Sequence, residues 1–236
     1  MESRILLIVQ HNITFLNLTS FFFAAGQKKG TLFNLKIVSA YVPITSSDNG
    51  CPMNEIERLK QIIIEKSYRQ GTFTLTSGKT SDFYIDGKQT TLDAEGGYLC
   101  GKLLFELIST EQDEIQAVGG MTLGADPLVT AVSVVSFLEQ APIPAFIVRK
   151  EAKGHGTGNY IEGLKNLPEG GRVALIEDVV TTGGTLLKVI ERVEAAGFSV
   201  GLVVTVVDRQ EGGAENLARA GYPLKALFTR EALMGS

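Results

Sequence analysis

Tryptophan is absent from the 236-residue chain, and histidine and cysteine occur only twice each. The missing tryptophan decides nothing. Two histidines, His11 and His155, exclude a histidine-rich metal site. Cys51 and Cys100, with no metal-ligand spacing around either, exclude a disulfide-stapled scaffold and fit reduced thiols in a reducing, cytoplasmic compartment. An excess of basic charge is also lacking. Lys and Arg number 22 against 26 Asp and Glu, for a net charge of -4. With a pI near 5.4, charge does not suggest a nucleic-acid partner. An acidic protein that binds a polyanion must gather its cations locally. Long apolar runs are missing too. A membrane span needs about 20 nearly continuous apolar residues, and the best N-terminal candidate is interrupted by Gln10, His11, Asn12, Asn17, Thr19 and Ser20. No internal repeat or low-complexity tract is visible.

What is present is enough apolar material for one sizeable core, at 44% hydrophobic residues. Residues 1–52 differ from the rest. They hold Ile5 to Val9, then Phe21-Phe22-Phe23, then a Ser/Thr/Asn-rich stretch ending at Pro52, with only Glu2 and Asp48 as acids. A secretory signal, an organellar transit peptide and an upstream stretch before a start at Met53 all stand as readings. The last is preferred, because a capped helix begins directly after Met53. Residues 1–52 are thus expected to be an extension, disordered or outside the core, and residues 53–236 the functional domain.

The helix after Met53 has Asn54 as N-cap, Glu57 three residues later, and Ile56, Leu59, Ile62 and Ile63 at helical spacing. Gly71 to Gly78 alternates between glycines, and Asp82 to Asp86 reads as a second short strand. Asp93 caps a helix carrying Leu99, Leu103, Leu104, Leu107 and Ile108. From Ala117 onward strand, loop and helix alternate: Gln116 to Gly120, a helix from Asp126 to Leu138, Ala145 to Val148, Arg172 to Ile176, a helix with Leu186, Leu187, Ile190 and Val193, and the apolar run Val200 to Val207. Runs of that kind are what parallel strands buried on both faces look like. The alternation predicts an α/β fold with a parallel sheet, and ligands in such sheets sit beyond the carboxyl ends of the strands.

The strongest local signal follows Ile176: Glu177-Asp178-Val179-Val180-Thr181-Thr182-Gly183-Gly184-Thr185. Two acids end a buried strand, then a tight loop of hydroxyl and glycine residues leads to a helix start. Backbone amides at a helix start are unpaired donors that suit a phosphate. Glycines let the main chain curl around an anion, and Thr181, Thr182 and Thr185 add hydroxyls. Adjacent carboxylates can accept hydrogen bonds from the vicinal hydroxyls of a ribose and favour positive charge at its anomeric carbon. The lysine of a Walker A loop is missing, which disfavours an ATPase. On these residues the chain resembles the type I phosphoribosyltransferases, whose phosphoribosyl pyrophosphate (PRPP) signature holds the 5′-phosphate in the loop and the ribose on the acids.

The local cation cluster is Arg149-Lys150-Glu151-Ala152-Lys153-Gly154-His155, followed by Gly156 and Gly158. Its glycines predict a loop rather than a helix. Transfer from PRPP expels pyrophosphate. Lys153 and His155 on such a loop would stabilise the departing charge, and His155 would donate a proton to it. The string resembles one branch, the orotate phosphoribosyltransferases. That resemblance implies Arg149, Lys150, Lys153 and His155 as PRPP contacts, a loop shared between the subunits of a homodimer, and Mg²⁺ held mainly by PRPP itself.

Arg209, in Asp208-Arg209-Gln210-Glu211, follows the long apolar strand, and a guanidinium suits a carboxylate through paired hydrogen bonds. The resemblance assigns Arg209 and Thr181 to orotate. It covers Met53 to the C-terminus, including Phe73 to Gly78 and Tyr84 to Gly87. It implies the type I fold, a mostly parallel central sheet flanked by helices with a small N-terminal hood, and formation of orotidine 5′-phosphate and pyrophosphate in pyrimidine synthesis. Lys153, His155 and Asp178 would carry the catalysis. At two positions, Thr76 and Gly124, some family members have a lysine; Lys79 and Lys88 stand near in the chain. The competing readings are a phosphoribosyltransferase for another base, a PRPP-sensing regulator and a nucleotide-binding structural module.

Overall fold

The computed structural model describes residues 3–9, 12–18, 54–74, 80–151 and 160–235. The chain divides into two units, Met1–Cys51 and Pro52–Ser236. In the first, β1 (Ser3–Val9) and β2 (Asn12–Leu18) pair antiparallel, with Ser3 opposite Leu18 and Val9 opposite Asn12.

The second unit begins with α1 (Glu55–Ile62), whose N-cap Asn54 accepts a hydrogen bond from the Ile56 amide at 3.4 Å. The helix loosens into a π-turn at Ile63–Ser67 before the chain becomes extended. Then come the antiparallel pair β3 (Tyr68–Thr74) and β4 (Thr80–Ile85), the short α2 (Lys88–Thr91) and α3 (Ala94–Ser109). Asp93 caps α3 by accepting from the Gly96 amide at 3.0 Å.

The remaining elements are β5 (Ala117–Met121), α4 (Asp126–Leu138), β6 (Ala145–Val148), β7 (Ile161–Glu162), β8 (Arg172–Val180), α5 (Gly184–Ala195), β9 (Ser199–Asp208), α6 (Gly213–Arg219), β10 (Leu224–Thr229) and α7 (Arg230–Met234). Six strands form one sheet in the order β10-β9-β8-β5-β6-β7. All neighbours run parallel except β7, which pairs antiparallel with β6. The expected architecture, a mostly parallel sheet between helices, is the one found.

Alternation along the central strands divides two cores. Ala174 and Ile176 of β8 and Val204 and Val206 of β9 pack with Leu59, Leu104 and Leu128 from α1, α3 and α4. Val173 and Leu175 of β8, with Val203 of β9, pack instead with Leu186, Val189 and Val193 from α5 and Leu217 from α6. Successive side chains of a strand point to opposite faces, so both faces need apolar residues, which explains the unbroken runs in the sequence. Chain order reverses direction at β5, whose neighbours are β6 on one side and β8 on the other. The crevice at the carboxyl ends of β5 and β8 is therefore the place for a ligand.

Candidate active site

Strand β8 runs on past the apolar run that ends at Ile176, because Glu177, Val179 and Val180 stay in register with Thr205, Val207 and Asp208 of β9. The acid pair lies in the strand, as expected, and Val179 and Val180 carry the strand beyond it. The buried Thr205 hydroxyl donates to the Glu177 carbonyl at 3.0 Å and pins this end of the strand. Glu177 is 8% exposed, and its Oε2 is buried without a hydrogen-bond partner among the described residues. Burial, and then the neighbouring Asp178 carboxylate, hold its carboxyl well above the ordinary range. Asp178 accepts a hydrogen bond at Oδ1 from the Val179 amide at 2.9 Å.

Two glycines press on this pair. A Cβ on Gly87 would lie 2.7 Å from Asp178 Oδ2, and one on Gly124 would lie 2.6 Å from Asp178 Oδ1 and 3.0 Å from Glu177 Oε1. Three segments, the end of β8, the turn after β4 and the loop after β5, thus converge on two carboxylates. In this chain position 124 is closed to any side chain while the acids stand where they do. The Thr122–Leu123 peptide of the same loop is cis.

Beyond the acids the chain turns sharply at Gly183, with φ of 77°, and enters α5. A cavity of about 90 Å³ is lined by Glu177 and the run Val179 to Leu186, so Thr181, Thr182, Gly183, Gly184 and Thr185 all face one concavity. The first amides of a helix have no acceptor within it, and they carry partial positive charge. The loop is steadied from α6, where Asn216 Nδ2 donates to the Thr182 carbonyl at 2.9 Å. A concavity at a helix start, lined by hydroxyl and glycine residues and lying beside two carboxylates, is a place suited to a phosphate. A larger cavity, about 430 Å³, opens at the opposite edge of the sheet before β5 and β6, where Glu111, Asp113 and Glu114 would repel a phosphate.

Of the basic segment, Arg149 and Lys150 are described, and Lys153 and His155 lie outside the described residues. The stem closes through a hydrogen bond from the Arg149 amide to the Tyr160 carbonyl at 2.7 Å. Arg149 Nη1 pairs with Glu162 at 3.1 Å. Lys150 is exposed, and its charge acts on the Glu177 carboxyl. Thr76 and Lys79 are likewise outside the described residues. Lys88 is bound to Asp86 at 2.6 Å, which keeps its ammonium above the usual lysine range.

Arg209 is buried, at 3% exposure, rather than at the surface. Its amide donates to the Val180 carbonyl at 3.0 Å, bringing it to the end of β8. Its Nη2 lies 2.7 Å from Glu211 Oε1, and its guanidinium stacks 4.4 Å from the Phe83 ring centroid. Arg230 lies 4.2 Å from the same centroid and pairs with Asp82. Gly124 enters the sequence reading only as a position where some family members have a lysine, and Phe83 and Gly87 only within the strand Asp82 to Asp86 and the string Tyr84 to Gly87; Arg230 carries no sequence signal. Cys100 is buried, which together with Asp178 pushes its thiol up to about 12, so it is no nucleophile at neutral pH. Among the described residues no cluster of three potential metal-binding side chains occurs.

Residues 91–220 match the family model of the phosphoribosyl transferase domain. The chain is 51% identical over 172 residues to the orotate phosphoribosyltransferase of a Nostoc species, covering 73% of this chain and 82% of that one. It is 46% identical over 185 residues to the orotate phosphoribosyltransferase of Aquifex aeolicus, covering 77% and 99%. Among solved structures, it resembles Mycobacterium tuberculosis orotate phosphoribosyltransferase in complex with PRPP, at TM-score 0.62 and 33% identity, covering 77% of this chain and 99% of that chain.

Proposed function

The chain belongs to the orotate phosphoribosyltransferase family, and on that premise we propose how its residues transfer ribose 5-phosphate from PRPP to orotate, giving orotidine 5′-phosphate and pyrophosphate. The observation that carries the reading is the acid pair set at the rim of the Thr181–Thr185 cradle and closed in by Gly87 and Gly124. The 5′-phosphate sits on the amides and hydroxyls of Thr181 to Thr185. The ribose hydroxyls donate to Glu177 and Asp178, whose charge favours the cationic anomeric carbon of the transition state. Lys153, His155 and Asp178 are the catalytic residues, and residues 53–236 form the transferase domain.

As the bond from the anomeric carbon to pyrophosphate breaks, its electron pair leaves with the pyrophosphate and the bond to the orotate ring nitrogen forms; the proton that nitrogen carried is released to solvent water. Arg149, Lys150 and Lys153 receive the leaving charge, and His155 supplies a proton to it. Arg209 takes the orotate carboxylate, its plane fixed by Glu211 and by stacking on Phe83. Thr181 lies at the base side of the cradle. Magnesium fits this site as part of the substrate, because Asp178 and Glu177 Oε2, which has no hydrogen-bond partner among the described residues, present hard oxygens to a cation-bearing, hydroxyl-rich ligand. Held mainly by PRPP, the ion would neutralise charge on the departing pyrophosphate.

The catalytic unit in this reading is a homodimer that shares the basic loop between subunits. The exposed Tyr98 on α3 and Val134, Phe137 and Leu138 on α4 support an apolar face for it. No helix among the described residues is long and apolar enough to cross a membrane.

The test is loss of orotate absorbance with PRPP and Mg²⁺, with adenine, hypoxanthine and uracil as separate controls. Orotate-dependent turnover abolished by Asp178→Asn and by Lys153→Ala is the expected result. Turnover with another base only would overturn the role of Arg209, and PRPP binding without any turnover would make the protein a sensor instead.

A further inference from the structure

Arg192 lies on α5, and nothing in the reaction above uses it. Its Nη1 donates to the Arg149 carbonyl at 2.6 Å and its Nη2 to the Lys150 carbonyl at 3.1 Å. The same guanidinium lies 4.1 Å from the centroid of the Tyr160 ring. Tyr160 also offers its carbonyl to the Arg149 amide, at 2.7 Å. One side chain therefore grips both arms of the stem from which the basic segment departs. Its donors go to these two main-chain carbonyls and, at 3.8 Å, to the Met121 sulfur, and to no carboxylate among the described residues. Its positive charge therefore orients two successive peptide planes.

Those two planes belong to Arg149 and Lys150, and Lys150 is the exposed cation whose charge reaches Glu177 of the same chain. A lysine is a compact charge on a flexible stem with large rotamer entropy. The backbone from which the stem departs is the part a neighbour can fix. Arg192 does this from a rigid helix whose other end bears the phosphate cradle. Gly184 and Arg192 are eight residues apart, roughly 12 Å along the axis at a rise of about 1.5 Å per residue. That is the scale of a pentose carrying phosphates at both ends.

We propose that Arg192 is a positioning residue that holds Lys150 for the pyrophosphate of PRPP, so that α5 sets the spacing between the two phosphate subsites. The proposal rests on the PRPP reading given above. A staple of purely structural value would lower the unfolding temperature and leave ligand preference alone.

The experiment measures binding of PRPP and of ribose 5-phosphate, each with Mg²⁺, by calorimetry on the full chain. Arg192→Met is expected to weaken PRPP about ten-fold, the loss of one charge-assisted contact, and to leave ribose 5-phosphate unchanged. Arg192→Lys, which keeps a donor for the carbonyls, should recover part of the loss and serves if the methionine variant folds poorly. Lys150→Met should lose as much as Arg192→Met, and the double variant no more than either single change. Wild-type PRPP affinity in Arg192→Met overturns the proposal, as do equal losses for both ligands or losses that add in the double variant. If the wild-type chain itself binds no PRPP, the underlying reading falls, and the proposal with it.

Discussion

At 8% exposure beside Asp178, the Glu177 carboxyl is held above the ordinary carboxylate range, by burial first and its neighbour's charge second. Between the ordinary value near 4.5 and the raised one, the folded chain binds more protons than the unfolded chain. Stability from this group is therefore full at low pH and is lost as pH rises through that window. Glu177→Gln is expected to be more stable than wild type at neutral pH and to flatten the slope, measured by urea unfolding from acid to neutral pH. An unchanged slope would mean that Glu177 ionises normally. The same substitution should weaken PRPP binding, because a neutral amide is a poorer acceptor for ribose hydroxyls. Gly124→Ala tests the close approach directly: its Cβ, 2.6 Å from Asp178 Oδ1, must displace the carboxylate. A displacement of this kind is expected to cost about a hundred-fold in turnover, read from the initial rate; wild-type kinetics would show that the acids tolerate the shift. That the acids, the threonines and Arg209 gather at the carboxyl end of the sheet was legible in the sequence, because each directly follows or ends an apolar strand. Gly87 and Gly124 as walls of the site were not, since their necessity arises only where three distant segments meet. Nor was the stacking of Arg209 on Phe83, for the same reason.

Among elements, the alternation of strand and helix from Ala117 onward was readable because strands buried on both faces must be apolar throughout. The end of β8 was not. The acids read as the end of the strand and everything after them as loop, yet pairing of Val179 and Val180 with β9 carries the strand on to the rim of the cradle. The sequence also gave no sign that α6 reaches back to the loop. Asn216 does so through its hydrogen bond to the Thr182 carbonyl at 2.9 Å. Asn216→Ala should raise the KM for PRPP a few-fold, about the worth of one neutral hydrogen bond. Its kcat should stay near wild type, because the contact steadies the phosphate cradle and not the reacting carbon. Steady-state kinetics at saturating orotate separates the two; a fall in kcat at unchanged KM would move Asn216 from binding to chemistry.

For the whole molecule, the question is which chain supplies the basic segment to which site. Exposed apolar residues on α3 and α4, notably Phe137 at 72% and Leu138 at 64%, cost the isolated chain solvation that a second copy would relieve. A symmetric pair in which Lys153 of one subunit serves the acids of the other makes a sharp demand. Asp178→Asn and Lys153→Ala should each be nearly inactive alone. Mixed and allowed to exchange, half of the pairs would be hybrids. Each hybrid would join the intact acids of one subunit to the intact lysine of the other at one of its two sites. Activity should then return to about a quarter of wild type, the product of those two halves for a two-fold symmetric pair. If each chain serves its own site, every site in the mixture carries one lesion and no activity returns. Subunit exchange followed by the orotate absorbance assay distinguishes the cases, and Phe137→Asp, by weakening the pair, should make the recovered activity depend on protein concentration.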